Sequence, residues 1–522
     1  MGGNSNLRNS KNKTHRNGIN KSFWECTIKV GSLDIQDEIF DVIIIGAGIT
    51  GVTLANELQQ KGKRCLLLEK EYPGFGTTGR TTAHINNFFD SFYDEVISNF
   101  GEEKAIALAN ASHETLRYIK RNIKRYRIRC EFSECSSYVF SSDNSQNKKL
   151  SKILKAHKIV GVKTNRTYDF PFDIPYKKAI EIHNQAQFHP LKYLKKILWE
   201  FKKVGGKILN QTIVTECKES SDIVIVETVS GKTFKAKTAV WSTHNAPGNT
   251  RFNLMIAPYR SYALSARLLE QPPKLAQCAD LEDPYHYLRY HTSKGNHYLI
   301  AGGFDHKTGQ ETHPEDCFEA LEEYVNERFK VEYIDSKWSA QYYVPVDGLP
   351  YIGKMPNEEN IFLCTGFNGN GMTFGTMASL IIPQLIDGEE TELSRLLCPS
   401  RITPLASAKN IITENANAFF RLISDRFNPD KNSNLKTIKK EEGKLTDCDG
   451  QICAVYRDKK GHLYFMDPIC PHMGCTVQWN TAEKSWDCPC HGSRFDAFGE
   501  LLIGPALKDL SKINTDENDC NE

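Results

Sequence analysis

Residues Asp41 to Glu71, DVIIIGAGITGVTLANELQQKGKRCLLLEKE, constrain what this chain can fold into more than any other stretch. Val42 to Ile45 form an apolar run too short for a helix and suited to a buried parallel strand. Gly46, Ala47, Gly48 and Gly51 follow in GxGxxG spacing. The first glycine permits a tight turn, the second lets backbone approach a pyrophosphate, and the third lets the next helix pack on the strand. That helix turns unpaired N–H groups and a positive dipole end toward phosphates. Cys65 to Leu68 read as the second strand. Glu69 ends it, where a carboxylate accepts from ribose hydroxyls. Strand, glycines, helix, strand and acid in this order predict a dinucleotide site; they leave open which dinucleotide.

At 522 residues the chain has room for two or three domains. A composition of 40% hydrophobic and 25% charged residues fits a soluble globular protein. The net charge of +2 argues against a nucleic-acid or membrane partner acting on the whole molecule. Residues 1–37 read as a flexible N-terminal arm. The first twenty are polar and basic without an apolar core, so they are no secretory signal. Asn6 breaks a myristoylation motif at Gly2. No apolar run is long enough to span a membrane, and the expected location is cytoplasmic. The sixteen cysteines are mostly scattered singly, as in a reduced interior, except in the last hundred residues.

After Glu69, YPGFGTTGRTTAHI supplies a glycine loop whose Thr77, Thr78 and Arg80 offer donors to the same pyrophosphate. Residues 100–125 read as a helix with a solvated basic side. Pro190 opens a further helix, with apolar residues at 191, 194, 197 and 198 and Gly205–Gly206 at its end. Residues 207–215, 222–228 and 233–243 read as strands. The aromatic, alternating runs between 255 and 310 predict an antiparallel sheet separate from the nucleotide domain, and 314–330 predict a helix. IFLCTGFNGNGMTFGTMASLIIPQLIDG, 361–388, is a strand, a loop with Gly366, Asn368, Gly369, Gly371 and Met372, and a helix. Its GxxGxG order is wrong for a second dinucleotide fingerprint, but suits backbone N–H groups that approach a bound ring.

Taken together, residues 41–390 resemble the FAD-dependent oxidoreductases of the D-amino-acid oxidase family. The matches are GxGxxG with Glu69, the glycine–threonine loop, the strand AVWST, and TGFNGNGMTFG. The resemblance implies FAD as the dinucleotide, a C-terminal loop returning to cover its ring, and an antiparallel substrate domain. It implies cofactor contacts at Gly46, Ala47, Gly48, Gly51, Glu69, Thr77, Thr78, Arg80, Gly366, Asn368, Gly369, Gly371 and Met372. No second GxGxxG marks an NAD(P)H domain. Candidate substrate contacts are Arg260, Tyr262, Arg289 and Tyr290, with Tyr259 beside them; an arginine can hold a carboxylate bidentately. Gln187 and His189 start a helix, and a lone histidine there is more often structural than catalytic. The family often needs no protein base, and none is assigned.

Residues 396–433 read as a linker with one helix, ITENANAFFRLISDRF. A third unit spans 434–515, with short strands such as QICAVYRD and HLYFMDP. It contains Cys470-Pro-His472-Met-Gly-Cys475 and Cys488-Pro-Cys490-His491-Gly-Ser493-Arg-Phe495. Two sulfurs and two nitrogens also suit a structural zinc ion, but the CPCHGSRFD context and strand-rich flanks resemble the Rieske 2Fe–2S domains. That resemblance implies cluster ligands Cys470, His472, Cys488 and His491, and a disulfide between Cys475 and Cys490. Imidazoles in place of thiolates raise the potential, and Ser493 is positioned by the motif to donate to a cluster sulfur. Phe495 stands where high-potential respiratory members carry a tyrosine, so a lower potential than theirs is expected.

The predicted architecture is therefore α/β: a Rossmann-like FAD-binding domain with an antiparallel-sheet substrate domain over 38–395, plus a small all-β Rieske domain. The two resemblances imply a flavin-dependent oxidoreductase that oxidises a C–N bond of a small amine or amino acid. Its electrons would pass from FAD through the cluster to an external acceptor. Two alternatives stand beside it: a flavin reductase fed through the cluster by an external donor, and a non-catalytic electron-transfer or redox-sensing module.

Overall fold

The computed structural model describes residues 18–31, 33, 35, 37–245, 248, 251–401, 435–448 and 450–513. The apolar run at Val42 becomes the central parallel strand Ile39–Ile45, with Val42, Ile43 and Ile44 fully buried. It pairs in parallel with Cys65–Leu68 on one side and Thr233–His244 on the other. Ile361–Thr365 and Lys207–Leu209 extend this eight-stranded sheet. The helices Ile49–Gln60 and Gly371–Ile386 pack against each other on its face. Both glycine-rich turns thus open at the carboxyl ends of parallel strands that flank Thr233–His244 on either side, where α/β sheets bind ligands.

The second sheet has nine strands and is mostly antiparallel. Its longest pair is Ile256–Leu268 against Val331–Pro345, in the register Pro258–Tyr343, Arg260–Gln341 and Ser261–Ala340. Side chains alternate across a strand, so this pair presents two different surfaces. Ser261, Ala340 and Tyr342 face a cavity shared with the nucleotide domain. Pro258, Arg260, Gln341 and Tyr343 face the C-terminal domain.

The C-terminal domain contains a three-stranded and a four-stranded antiparallel sheet, around a core with Trp486, Phe495 and Val477 fully buried. The linker helix expected within 396–433 lies outside the described residues from 402 onward. The described part of the 1–37 segment corrects the expectation of a flexible arm. Trp24 is 1% exposed, its Nε1 donates to Thr81 O at 2.6 Å, and Ser22 Oγ donates to Gly79 O at 2.6 Å. A single buried tryptophan in a polar stretch supplies enough apolar area, ~2–3 kcal/mol, to anchor a segment that composition alone describes as solvated. Among the described residues no helix is long and apolar enough to cross a membrane.

Candidate active site and metal centre

A cavity of about 330 Å³ lies between the two large sheets. One end is the predicted dinucleotide cradle. Gly46 has φ +103°, and a Cβ on Gly51 would stand 1.9 Å from Gly46 O, so strand and helix meet too closely for any side chain there. Glu69 Oε2 accepts from the Ala47 N–H at 2.7 Å and Oε1 from the Glu71 N–H at 2.9 Å. These bonds hold the carboxylate at the cavity edge. Thr78 Oγ1 accepts from the Ile49 N–H at 2.9 Å, which brings the 74–80 loop to the helix N-terminus. Gly46, Gly48, Glu69, Thr77, Thr78 and Arg80 line this end; Asn368, Gly369, Gly371 and Met372 line the cavity from the second glycine loop.

Ala47, Gly51 and Gly366 do not line the cavity. Ala47 acts through its N–H on Glu69, Gly51 packs helix on strand, and Gly366 (φ +70°) turns the loop against Pro345. The Arg80 guanidinium is turned outward, with Nη1 donating to Asn20 O at 2.7 Å. A bare glycine cradle, an edge carboxylate and a second glycine loop facing the same space fit a flavin dinucleotide.

The other end of the cavity is lined by Asn86, Asp90, Tyr285, Tyr287, Asp305 and Tyr342. The Gly369 N–H donates to Asp90 Oδ2 at 2.9 Å, which ties this end to the second glycine loop. Tyr342 donates to Asp305 Oδ2 at 2.6 Å. Tyr287 and Ser261 share a hydroxyl hydrogen bond of 2.8 Å. Asp90 is exposed on the cavity surface, and the desolvation imposed by the protein crowded around it pushes its carboxyl up from the usual range. Burial, aided by the nearby Asp90 charge, does the same to Asp305.

This end corrects the expected substrate contacts: strand alternation turns Arg260, Tyr262 and Tyr290 away from it, and Arg289, on the same face as Tyr287, is held further along the strand by other partners. Arg260 and Tyr262 point away from the cavity, on the opposite face from Ser261. Arg260 is fully buried against Arg494, Asp487 and Glu483 of the C-terminal domain. Tyr262 bonds His306 at 3.0 Å and packs on Phe318. Arg289 donates to Ala83 O and Phe188 O, both at 3.3 Å, and Trp24 covers its guanidinium at 5.1 Å. Tyr290 stacks on Phe172 in a separate core. Tyr259 lies beside Tyr342, ring centroids 6.0 Å apart. Gln187 donates to Tyr290 O, and His189 caps its helix by accepting from the Lys192 N–H. The sequence signals that were missed are plain afterwards: Tyr285 and Tyr287 flank the strand residues chosen instead, and Asp90 is a lone acid within an aromatic run.

The metal centre is built from two similar loops. In each, a glycine N–H returns to the cysteine four residues before it: Gly474 to Cys470 O at 3.0 Å, Gly492 to Cys488 O at 3.1 Å. A disulfide joins Cys475 to Cys490, with Cα atoms 6.5 Å apart. The Cys470 and Cys488 thiols are in hydrogen-bond contact, and Ser493 also bonds Cys470. The His472 and His491 rings meet edge to face at 5.0 Å. Both Nδ1 atoms are buried and have no hydrogen-bond partner, a costly arrangement unless a metal takes them. Burial holds both imidazoles below their ordinary value, His491 at about 4, so they are neutral as metal ligands must be.

Four ligands of one zinc ion lie within roughly 4 Å of one another. Among the described residues, the groups of three donors within 4.8 Å are Cys475–Cys488–Cys490 and Asp280–Glu282–His286. The cysteine pair and the histidine pair therefore do not close on one point, which fits a cluster with one pair on each iron. Phe495 is fully buried opposite Trp486 and brings no hydroxyl to the cluster loops.

The two sites share a wall. Gln341 Nε2 donates to Gly492 O at 2.9 Å, next to His491. Asn253 bonds His472 Nε2 at 2.9 Å and Asn245 at 3.3 Å, and Asn245 lines the cavity. Two hydrogen bonds thus lead from the cavity wall to a cluster ligand. At the nucleotide end, Lys70 Nζ donates to Leu501 O at 3.0 Å and Leu502 O at 3.1 Å, and the segment from Leu501 to Leu507 helps close the cavity. Neither Asn253 nor Gln341 carries a sequence motif that marks it.

Comparison with known proteins agrees with this geometry. Residues 41–385 match the FAD dependent oxidoreductase family, and residues 430–514 match the Rieske 2Fe–2S domain. YhfW of Bacillus subtilis (strain 168), named for a Rieske 2Fe–2S iron-sulfur protein, is 32% identical over 95% of this chain and 98% of its own. The gamma-glutamylputrescine oxidoreductase of Escherichia coli (strain K12) is 23% identical over 67% of this chain and 84% of its own. The crystal structure of L-proline dehydrogenase from P. horikoshii shares the fold, with TM-score 0.58 and 19% identity over 70% of this chain and 98% of that one.

Proposed function

From the premise that this chain belongs to the FAD-dependent oxidoreductase family and ends in a Rieske 2Fe–2S domain, we propose that it oxidises a C–N bond of an amine or amino acid and delivers the electrons through the cluster to an external one-electron acceptor. FAD and the 2Fe–2S cluster are its cofactors; the first takes two electrons and can release them singly, the second carries one at a time. The substrate loses two electrons and two protons to become an imine, which water hydrolyses to a carbonyl compound and the free amine.

One observation carries the reading. The cluster loops dock on the back of the wall that lines the flavin cavity, and Asn245 and Asn253 link that wall to His472 by bonds of 3.3 and 2.9 Å. A cluster held there needs no swinging motion to exchange electrons with a ring in the cavity. The residues of this chain perform the positioning. Glu69, Thr78 and the two glycine loops hold the dinucleotide. The ring of tyrosines lines one end of the space, and the segment from Leu501 to Leu507 helps line the cavity from the C-terminal domain. The E. coli relative named for gamma-glutamylputrescine gives independent support for an amine among the substrates.

The test is an anaerobic screen of amines and amino acids against the holoprotein. At least one compound should bleach the flavin and, without any added mediator, reduce the cluster in the same sample. If no compound bleaches the flavin while reduced cluster passes electrons to it, the flow runs the other way and the proposal is wrong.

A further inference from the structure

The charged side chains that line the substrate end of the cavity are of one sign. Asp90 and Asp305 come from a loop and a strand more than two hundred residues apart and face the same space. Neither is neutralised by a cation of the lining. Among the described lining residues the cations are Lys70 and Arg80, and both are turned to backbone carbonyls elsewhere: Leu501 O and Leu502 O for Lys70, Asn20 O for Arg80. His84 also lines this space, but burial and the Arg289 charge hold its imidazole at about 3, so it is uncharged at neutral pH. The remaining titratable groups facing the two acids are Cys278, Tyr285, Tyr287 and Tyr342, all pushed up by burial and therefore neutral.

A second feature points the same way. Asn86 lines this cavity, is 9% exposed, and its buried Oδ1 meets no donor. Asp305 Oδ1 is likewise without a donor at bonding geometry, although Ser261 and Tyr285 approach the carboxylate. Acceptors left open in a buried site cost free energy unless a ligand donates to them. The arginines that would clamp a substrate carboxylate, Arg260 and Arg289, are sealed outside the cavity. A carboxylate entering here would meet two like charges and no partner, whereas an ammonium group would meet two carboxylates, an open amide oxygen and three phenol rings that attract cations.

We infer that this site selects a cationic amine over an α- or ω-amino acid, with Asp90, Asp305 and Asn86 receiving its ammonium group and Tyr285, Tyr287 and Tyr342 enclosing its carbon chain. The inference rests on the amine or amino-acid reading above and narrows it to substrates that carry positive charge and no carboxylate near the reacting end.

Equilibrium dialysis of dithionite-reduced holoprotein separates binding from turnover, because reduced protein cannot oxidise the ligand. 1,4-Diaminobutane should bind at least about tenfold more tightly than 4-aminobutanoate, which replaces one ammonium by a carboxylate on a chain of equal length. Its affinity should rise between pH 5 and pH 7.5 as Asp90 and Asp305 ionise. Asp305→Asn should weaken diamine binding about tenfold with FAD content unchanged, and Asp90→Asn should weaken it about tenfold per FAD-containing chain. The inference is overturned if 4-aminobutanoate binds as tightly as the diamine, or if both variants, still holding FAD, bind the diamine like the parent. Diamine binding that depends on these acids, with no amine able to bleach the oxidised flavin, would defeat the C–N oxidation reading and leave the selectivity standing. Flavin bleaching confined to amino acids would do the reverse.

Discussion

The cluster donors all come from two loops between Cys470 and His491, each closed by its own glycine turn and joined by one disulfide. The flavin cavity gathers its lining from Ile45 to Leu507, across both large sheets and the C-terminal domain. The first site is a local construction that needs little beyond its own small sheets. The second exists only when the entire chain has folded, and its character changes along its length: a glycine cradle at one end, acids and phenols at the other. The wall between them, the strand pair Ile256–Leu268 and Val331–Pro345, belongs to both, with one face for each.

That contrast predicts independent loss of the two cofactors. Gly51→Val places atoms where even a Cβ would lie 1.9 Å from Gly46 O. It should abolish FAD binding and destabilise the nucleotide domain by ~3 kcal/mol or more, while iron content per folded chain stays at parent level. His491→Ala should do the opposite, removing the cluster absorption and leaving FAD content unchanged. Loss of both cofactors in either variant would mean that the sites are not built separately.

A smaller effect is expected at the shared wall. Asn253→Ala removes the bond to His472 and the acceptor for Asn245, while Asn253 itself does not line the cavity. Flavin bleaching by substrate should keep its rate, and subsequent cluster reduction should slow about tenfold, equivalent to ~1.4 kcal/mol of barrier. Equal slowing of both steps would place Asn253 in general folding rather than in the link between sites.

A last effect, read as a shift in melting temperature rather than as a lost cofactor or a slowed step, separates the two ends of the cavity by pH. Asp305 has its carboxyl raised from 3.8 to about 6, chiefly by burial. A raised carboxyl binds more protons folded than unfolded between these values, so its ionisation lowers stability as pH climbs through that window and the cost persists above it. Asp305→Asn should therefore raise the melting temperature at pH 8 and have least effect at pH 4. A variant equally altered at both pH values would show that the acid is not destabilised by its surroundings.

The sequence made the cluster loops and the cradle legible because their residues lie close along the chain in spacings that chemistry dictates. Cys470, His472, Cys488 and His491 stand in two short runs, and Gly46, Gly48 and Glu69 in one βαβ unit. Both glycine turns, the helix from Pro190 and the antiparallel character of 255–310 were equally readable from local pattern. The substrate end was not. Which face of an alternating strand turns inward depends on register with partners far away, and a slip of one residue exchanges Arg260 for Ser261 and Tyr290 for Arg289, while Arg289 shares its face with Tyr287 but lies further along the strand, beyond the cavity lining. Asp90 and Asp305 share no segment, so their convergence had no signal in the chain. The same holds for Trp24, whose docking depends on Arg289 and Thr81 being within reach.

The most direct test of the account is rapid-freeze spectroscopy of the anaerobic holoprotein mixed with a substrate amine, following flavin absorption and the paramagnetic signal of the reduced cluster together. The account predicts that the flavin bleaches first and that the cluster signal then grows to one electron per chain, at a rate independent of protein concentration because both sites share one wall. A cluster that stays oxidised after the flavin is bleached, or is reduced at a rate proportional to protein concentration, would contradict it.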